Sequence, residues 1–229
     1  MCGRIVSSTP VSALAEQFVV AEVRAAEAAA RYNVAPTDDV VAVATTAAGR
    51  RLGTLSWGLV PRWADGPGPG RRLVNLRSER LAERPGFRRT LQSRRCVVPA
   101  DGFYEWRAAG DGRPRQPHLV RARDGRPLAL AGLWDVWRDP AGPYGAALRT
   151  CTILTTAPNE VVAALHDRMP VVLPPPACDV WLDPSVTDVD ELVALCRPCP
   201  PELLEAWPVS TAVNRVANDG PHLVAPMPG

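Results

Sequence analysis

Short apolar runs separated by turn residues dominate the chain and predict a fold built mainly from β-strands. Residues 40–45 and 51–59 are apolar and β-branched, and their connection through Ala48 and Gly49 predicts a hairpin. Residues 149–156 form an apolar, β-branched run that suits the middle of a sheet. Further strands are predicted at residues 2–6, in the two halves of 94–106, and at 118–122, 128–134 and 171–173, with residues 110–115 as a hairpin turn.

Helical patterns are fewer. In the first, Ser8 or Thr9 can cap a helix that has Pro10 in its first turn and runs to about Phe18. Other helices are predicted at residues 79–83, capped by Ser78 and ended by Pro85, at 159–165, and in an acidic outer layer at 177–196. Residues 21–30 are either a second helical stretch or a mobile connection, and residues 209–226 are expected to be extended. No internal repeat or linker divides the chain, so a single domain over residues 1–229 is expected.

Composition places the chain among soluble globular proteins, with 46% apolar and 22% charged residues. No window approaches 18 uncharged apolar residues, so no transmembrane helix is expected. Glu16, Glu22 and Arg24 interrupt the apolar N-terminal stretch, which argues against a signal peptide. We therefore expect a cytoplasmic protein with reduced thiols.

Charge is unevenly distributed along the chain, although its net value is only +2. Residues 62–95 hold ten arginines against Asp65, Glu79 and Glu83, a surplus of +7. Residues 176–207 hold seven acids against Arg197 alone. This asymmetry suggests a basic face for a polyanion, while a solvated charged helix explains part of the run around residues 78–95.

The first two residues carry the most distinctive chemistry. Removal of Met1 would leave Cys2 with an α-amine beside its thiol, groups whose ordinary pKa values are about 8 and about 8.5. An aldehyde can react with both groups and close a five-membered thiazolidine ring. All 26 basic residues are arginine, so the N-terminus is the only primary amine in this sequence. The alternative is that Cys2 merely begins a buried strand.

Other candidate residues follow from local context. Glu105 lies among Phe103, Tyr104 and Trp106, where burial would raise the pKa of its carboxyl and allow proton transfer, unless the strand turns it toward water. Trp63 is either a core residue or a ring that stacks on a base.

His166 lies at the predicted end of a helix, where the helix dipole favours its protonated form. His118 and His222 have no comparable setting in the sequence. Asn75 and Arg77 precede a helix and can project into a cleft. The spacing from Cys196 to Cys199 is half of a zinc motif with no partner pair, so no metal site is expected.

Together these motifs resemble the SRAP family (SOS response-associated peptidases). The resemblance spans nearly the whole chain in the family's order and spacing, and its matching stretches are residues 1–4 (Met-Cys-Gly-Arg), 31–37, 57–63, 75–79, 96–106 with Gly-Phe-Tyr-Glu-Trp, 155–173 with His-Asp-Arg-Met-Pro, and 209–226. It implies a single α+β domain with a mostly antiparallel, barrel-like β-sheet core and peripheral helices. It also implies a cofactor-free monomer of the DNA damage response that binds single-stranded DNA or single/double-strand junctions, and is associated with the nucleoid when bound.

The activity that the resemblance implies is covalent trapping of abasic sites through a thiazolidine crosslink, a lyase-like reaction. Cys2 would supply both nucleophiles after loss of Met1. The other implied catalytic residues are Glu105 for proton transfer, His166 for sugar ring opening and oxyanion stabilisation, Asn75 for holding the sugar or the amine, and Thr155 for a nearby hydroxyl. Implied DNA-binding residues are Arg4, Arg77 and Arg168 on phosphates, Trp63, Trp106 and Pro36 on bases, and Asn33. Some relatives carry two adjacent tryptophans, whereas here Trp63 is followed by Ala64, so base wedging is expected to be weaker or differently placed.

Two other functions fit parts of the sequence. One is a cysteine hydrolase that uses Cys2 as nucleophile and His166 as base, acting only on its own N-terminal peptide. The other is a noncovalent single-strand binding module, which leaves Cys2, Glu105 and His166 without a role.

Overall fold

Strands carry most of the fold in the computed structural model, which describes residues 2–27, 29–68, 72–107, 115–139 and 147–227. In chain order the strands of these ranges are β1 (Ile5–Ser7), β2 (Glu22–Val23), β3 (Arg31–Val34), β4 (Asp39–Thr46), β5 (Gly49–Trp57), β6 (Asn75–Arg77), β7 (Arg95–Ala100), β8 (Gly102–Arg107), β9 (Gln116–Ala122), β10 (Leu128–Arg138), β11 (Ala147–Thr156), β12 (Met169–Pro170) and β13 (Leu204–Pro208). The α-helices are α1 (Val11–Gln17), α2 (Pro85–Ser93), α3 (Glu160–Ala163), α4 (Pro175–Leu182) and α5 (Val189–Ala194).

Five of these strands, in the order β7-β4-β5-β11-β10, hydrogen-bond in a closed circle and form a barrel. The predicted β4–β5 hairpin is present and turns at Thr46 and Gly49, where Gly49 adopts a φ of 106°. A short parallel pairing of β5 with β11, at Trp57 and Cys151, closes the circle. The other pairings in the circle are antiparallel, so the expected α+β domain with a mostly antiparallel, barrel-like core is confirmed.

A second, antiparallel sheet has the strand order β13-β9-β8-β1-β3 and packs on the barrel. One core cluster joins the two, since Cys2 and Phe103 from the sheet side pack with Trp57 and Cys151 of the barrel. Helices α1, α2, α4 and α5 cover a different apolar face of the barrel, where Leu14, Phe87 and Trp181 belong to one cluster with barrel residues. Cys2 therefore lies between the sheet and the barrel.

The predicted helix over residues 79–83 is wrong. Only a 3-10 turn, Ser78–Arg80, forms there, and Pro85 begins α2 instead of ending a helix. The fixed φ of proline suits the first turn of a helix as well as the position after one. Burial of Phe87 and Leu91 against the barrel explains why the helix follows the proline.

Other predicted boundaries also change. Asp101 accepts hydrogen bonds from the backbone of Ser8 and Thr9, and α1 begins after Pro10 without a side-chain cap. The described part of residues 21–30 contains β2, which pairs with β5, and no helix. The predicted outer helical layer is broken into α4 and α5. The predicted strand over 171–173 is replaced by a strand at Met169–Pro170 and a single bridge at Val172. Residues 209–226, predicted to be extended, contain the 3-10 turns Thr211–Asn214 and Pro221–Val224. The predicted hairpin turn at 110–115 lies outside the described residues except for Arg115.

Among the described residues, we find no helix that combines the length and the apolar character needed to cross a membrane.

Candidate active site

Cys2 is fully buried at the start of the chain segment that leads into β1. The side-chain amide of Asn75 donates a hydrogen bond from Nδ2 to the carbonyl oxygen of Cys2, at 2.7 Å. Asn75 begins β6, which is held in place by parallel pairing with β11. The structure therefore brings together two residues that are 73 positions apart in sequence.

Two buried polar atoms on β6 and β11 have no hydrogen-bond partner among the described residues. They are Oδ1 of Asn75 and Oγ1 of Thr155, which lie on the neighbouring strands β6 and β11. A buried polar atom without a partner costs about 1–3 kcal/mol, so such atoms are uncommon unless a ligand completes them. Both atoms are therefore free to bond with a group outside the described residues.

Glu105 lies on β8 and is only 1% exposed. Burial raises the pKa of its carboxyl from 4.5 to about 7. The alternative that Glu105 points to water is therefore wrong. Burial also raises the pKa of the Cys2 thiol well above its usual range, and the nearby Glu105 charge adds to this rise. Near neutral pH the carboxyl is thus divided between its protonated and charged forms, and the thiol is protonated.

His166 follows α3, and burial lowers the pKa of its imidazole, which is opposite to the expected effect of the helix dipole. Burial therefore outweighs the expected effect of the dipole, since α3 is a single turn of Glu160–Ala163. Nδ1 of His166 lies 2.9 Å from the backbone nitrogen of Arg168 and 2.8 Å from a carboxylate oxygen of Asp167. One nitrogen cannot accept from the first and donate to the second. Since Asp167 is 81% exposed and well solvated, we assign Nδ1 as the acceptor and Nε2 as the protonated nitrogen of a neutral ring.

The guanidinium of Arg168 already forms an ion pair within the protein. Its guanidinium contacts both carboxylate oxygens of Glu79, at 2.7 and 2.8 Å, and donates to the carbonyl oxygen of Thr155 at 2.6 Å. The Arg168 side chain is only 12% exposed, whereas Glu79 is 53% exposed. Arg168 therefore joins β11 to the segment after β6, and a phosphate would compete with Glu79 for it.

Arg4, Asn33 and Trp106 form one network with the chain near the C-terminus. Arg4 donates to Oδ1 of Asn33 at 2.5 Å and to the carbonyl oxygen of Val213 at 2.8 Å, and its guanidinium lies 5.8 Å from the centre of the Trp106 ring. The indole of Trp106 donates to Oδ1 of Asn214 at 2.7 Å. Asn33 is buried, and its Nδ2 lies within hydrogen-bond distance of three backbone carbonyls of the same segment, with Asn218 the nearest at 2.7 Å. This network holds the segment over β1, β3 and β8.

The remaining predicted DNA contacts lie toward solvent. Arg77 is exposed at the end of β6, and its side chain forms no hydrogen bond or ion pair with the described residues. Trp63 is 52% exposed and lies edge-on to Phe87, with their ring centroids 5.7 Å apart. A groove of about 510 Å³ runs beside Trp63. Pro36, which is not part of this groove, is half-buried. The processing residue Met1 lies outside the described residues.

Sequence reasoning missed two residues of the site. Glu79, the partner of Arg168, was read only as part of a charged helix. His118 lies directly across the strand pair from Glu105, which contradicts the view that its setting is unremarkable. Strand register carries the signal for His118, and it cannot be obtained from the sequence of either strand alone.

A buried cysteine at the start of the chain and a buried acid, Glu105, between the barrel and the second sheet define a class of protein. The chain belongs to the SOS response associated peptidase (SRAP) family, whose model matches residues 1–216. Several relatives carry the name abasic site processing protein. YoqW of Bacillus subtilis (strain 168) is 39% identical over 98% of this chain and 99% of the relative. YedK of Escherichia coli (strain K12) is 30% identical over 99% and 100%. HMCES of Gallus gallus is 35% identical over 78% of this chain and 58% of its own length.

Solved structures share the fold. A protein from Bacteroides thetaiotaomicron covers 99% of this chain and 100% of its own, with a TM-score of 0.87 at 22% identity. A phage-related protein from Bordetella bronchiseptica covers 91% of this chain and 94% of its own, with a TM-score of 0.68 at 28% identity.

Proposed function

We propose that the protein processes abasic sites in single-stranded DNA by forming a covalent thiazolidine crosslink through Cys2 after removal of Met1. The observation that carries the proposal is the contact of Asn75 with the Cys2 carbonyl, with the partnerless Oδ1 of the same amide beside it. An α-amine on Cys2 would lie within a few bonds of that carbonyl, so Oδ1 is suited to accept a hydrogen bond from it. The names of the family's relatives support an abasic site as the substrate.

The proposed reaction consumes one aldehyde and releases one water. The α-amine of Cys2 adds to C1′ of the ring-opened deoxyribose and forms a carbinolamine. Glu105 then gives its proton to the hydroxyl group, which leaves as water, and the C=N bond of a protonated imine (an iminium ion) forms. The sulfur of Cys2 adds to the same carbon, its proton passes to the Glu105 carboxylate, and the ring closes with Glu105 restored.

A carboxyl with a pKa near neutrality suits both halves of this cycle. Burial raises the pKa of Glu105 to about 7, so the proton is neither held too tightly to give nor too weakly to recover. His166 in its neutral form offers a protonated Nε2 that is suited to donate to the sugar oxygen during ring opening. Oγ1 of Thr155 supplies a further polar contact for the sugar.

The same features argue against the peptidase that the family name suggests. A cysteine peptidase relies on a thiolate paired with an imidazolium. Burial raises the pKa of the Cys2 thiol and lowers the pKa of His166, and both changes favour the neutral forms. Addition of an amine to an aldehyde does not require a thiolate in its first step.

The direct test is incubation of the protein with a single-stranded oligonucleotide from which one uracil has been excised. We expect an adduct that survives heating in denaturant, with a mass equal to protein without Met1 plus the abasic strand minus one water. An oligonucleotide with an intact base is the control and should give none. Absence of an adduct from protein whose mass confirms the loss of Met1 would overturn the proposal.

Arg77→Ala should weaken binding to single-stranded DNA uniformly across sequences, because an exposed guanidinium without a protein partner is available to a phosphate. The slope of log affinity against log salt should fall by about 0.7, the value for one phosphate contact on a single strand. Arg126→Ala removes the same charge from an exposed position in the turn between β9 and β10, and is the matched control. Equal losses from both variants, measured by fluorescence anisotropy, would show that only net charge matters.

A further inference from the structure

Glu79 pairs with the Arg168 guanidinium in the geometry that a phosphate would adopt. Nη1 of Arg168 lies 2.7 Å from Oε1 of Glu79, and Nη2 lies 2.8 Å from Oε2. A guanidinium binds a carboxylate and a phosphate alike through two parallel N–H···O bonds. Glu79 is 53% exposed and the Arg168 side chain only 12%, so the carboxylate stands on the solvent side of the pair. Glu79 therefore fills the place where an oxyanion arriving from solvent would bind Arg168.

A second contact holds Arg168 from the protein side. Its Nη2 also donates to the carbonyl oxygen of Thr155 at 2.6 Å, and Thr155 is fully buried on β11 of the barrel. Nε of Arg168 is buried and has no hydrogen-bond partner among the described residues, so Glu79 and Thr155 do not use all the donors of this guanidinium. The bond to the Thr155 carbonyl does not depend on Glu79. We therefore expect Arg168 to keep its place when the Glu79 carboxylate turns away into water.

Arg77 places a second positive charge near the same carboxylate. Arg77 lies opposite Thr155 in the pairing of β6 with β11, and Glu79 follows in the 3-10 turn Ser78–Arg80. Hydrogen bonds from Arg168, and more weakly the charges of Arg168 and Arg77, lower the pKa of Glu79, so its carboxylate is charged at neutral pH. One negative charge thus lowers the positive potential at two of the arginines that are expected to bind phosphates.

We infer that Glu79 competes with DNA phosphates for Arg168 and so keeps noncovalent binding to intact single-stranded DNA weak. The inference rests on the proposed function, because the crosslink then supplies the retention that noncovalent binding lacks. The competition weakens the initial binding of intact and abasic strands alike, whereas only the abasic strand carries an aldehyde for Cys2. Glu79 therefore makes retention on DNA depend on the lesion.

Glu79→Gln tests the competition, because the amide keeps the size of this half-exposed side chain and removes its charge. We expect Glu79→Gln to bind an intact single-stranded oligonucleotide about fivefold more tightly than wild type, the equivalent of one exposed ion pair that no longer has to be broken. The slope of log affinity against log salt should become steeper by up to about 0.7, because no carboxylate is released to take up a cation. Glu83→Gln removes the same charge from an exposed position nearby in the sequence and is the matched control. Fluorescence anisotropy over a series of salt concentrations measures both quantities.

A double-mutant cycle with Arg168→Gln assigns the gain to this pair. In the Arg168→Gln background, Glu79→Gln should gain about twofold at most, which reflects the charge near Arg77. Affinity that is unchanged or weaker in Glu79→Gln would overturn the inference, as would an equal gain from Glu83→Gln or in the Arg168→Gln background.

Binding of intact DNA involves no crosslink, so this test is separate from the test of the proposed function. If Glu79→Gln gains affinity but wild type forms no adduct with abasic DNA, the proposed function fails and the competition stands. If the adduct forms but Glu79→Gln gains no affinity, the competition fails and the proposed function stands.

Discussion

Cys2→Ala should form no heat-stable adduct with abasic single-stranded DNA. Alanine at the processed terminus keeps the α-amine but has no sulfur, so addition to the aldehyde stops at an imine that water reverses. The thiazolidine carries two bonds to C1′, and loss of one removes the ring altogether. The expected loss on a denaturing gel is therefore complete, not a reduction in rate.

Cys2→Ser refines this expectation, because a hydroxyl is a much weaker nucleophile than a thiol. The serine variant should yield an adduct only when borohydride reduces the imine before denaturation. Cys151→Ala is the matched control, since Cys151 is also fully buried and belongs to the same core cluster. It should crosslink like wild type. An equally stable, unreduced adduct from Cys2→Ser would contradict the role assigned to sulfur.

The chemistry of Cys2 could be predicted from the sequence because it is a covalent property of two adjacent groups. Because the sequence contains no lysine, the α-amine of the N-terminal residue is its only primary amine, and this follows without knowledge of the fold. Glu105 was predicted for a similar reason, since its aromatic neighbours are adjacent in sequence and buried it as expected. Properties that depend only on immediate neighbours, such as the burial of Glu105, can be predicted from the sequence.

Contacts between residues that are far apart in the sequence could not be predicted. His118 lies opposite Glu105 only because β8 and β9 pair in this register, and a shift of one residue would turn its ring to the opposite face. Arg168 is held by Glu79 across 89 residues.

The fold divides in the same way. The β4–β5 hairpin is a local signal, whereas closure of the barrel depends on two parallel pairs between β5 and β11. Pro85 shows a different limit, because the same residue suits the first turn of a helix and the end of one. Packing of Phe87 on the barrel decided between these alternatives.

Glu105→Gln should slow crosslinking by about a hundredfold, at the lower end of the range for a general acid–base residue, while DNA affinity stays nearly constant. Glutamine keeps the shape and polarity of the side chain but cannot give or take the proton. Single-turnover rates with abasic oligonucleotide measure the first effect, and anisotropy with intact single-stranded DNA measures the second. A collapse of affinity would make Glu105 structural, and a wild-type rate would remove it from the proton transfer.

The same substitution should stabilise the protein at alkaline pH, because the buried charge has a cost. Folding raises the pKa of Glu105 from 4.5 to about 7, so the charged form is disfavoured in the folded state, and stability is lost as pH rises through this window. Above this pH window the buried charge lowers the free energy of unfolding by about 3 kcal/mol, because each unit of pKa difference corresponds to about 1.4 kcal/mol. Urea unfolding at about pH 8 should therefore show Glu105→Gln as the more stable protein, and the difference should vanish toward about pH 4. Glu16→Gln, at an exposed position of α1, is the control and should show no such pH dependence. If Glu105→Gln were instead less stable at alkaline pH, favourable contacts would be stabilising the charged carboxylate. A raised pKa could then not explain why Glu105 takes up the thiol proton during ring closure.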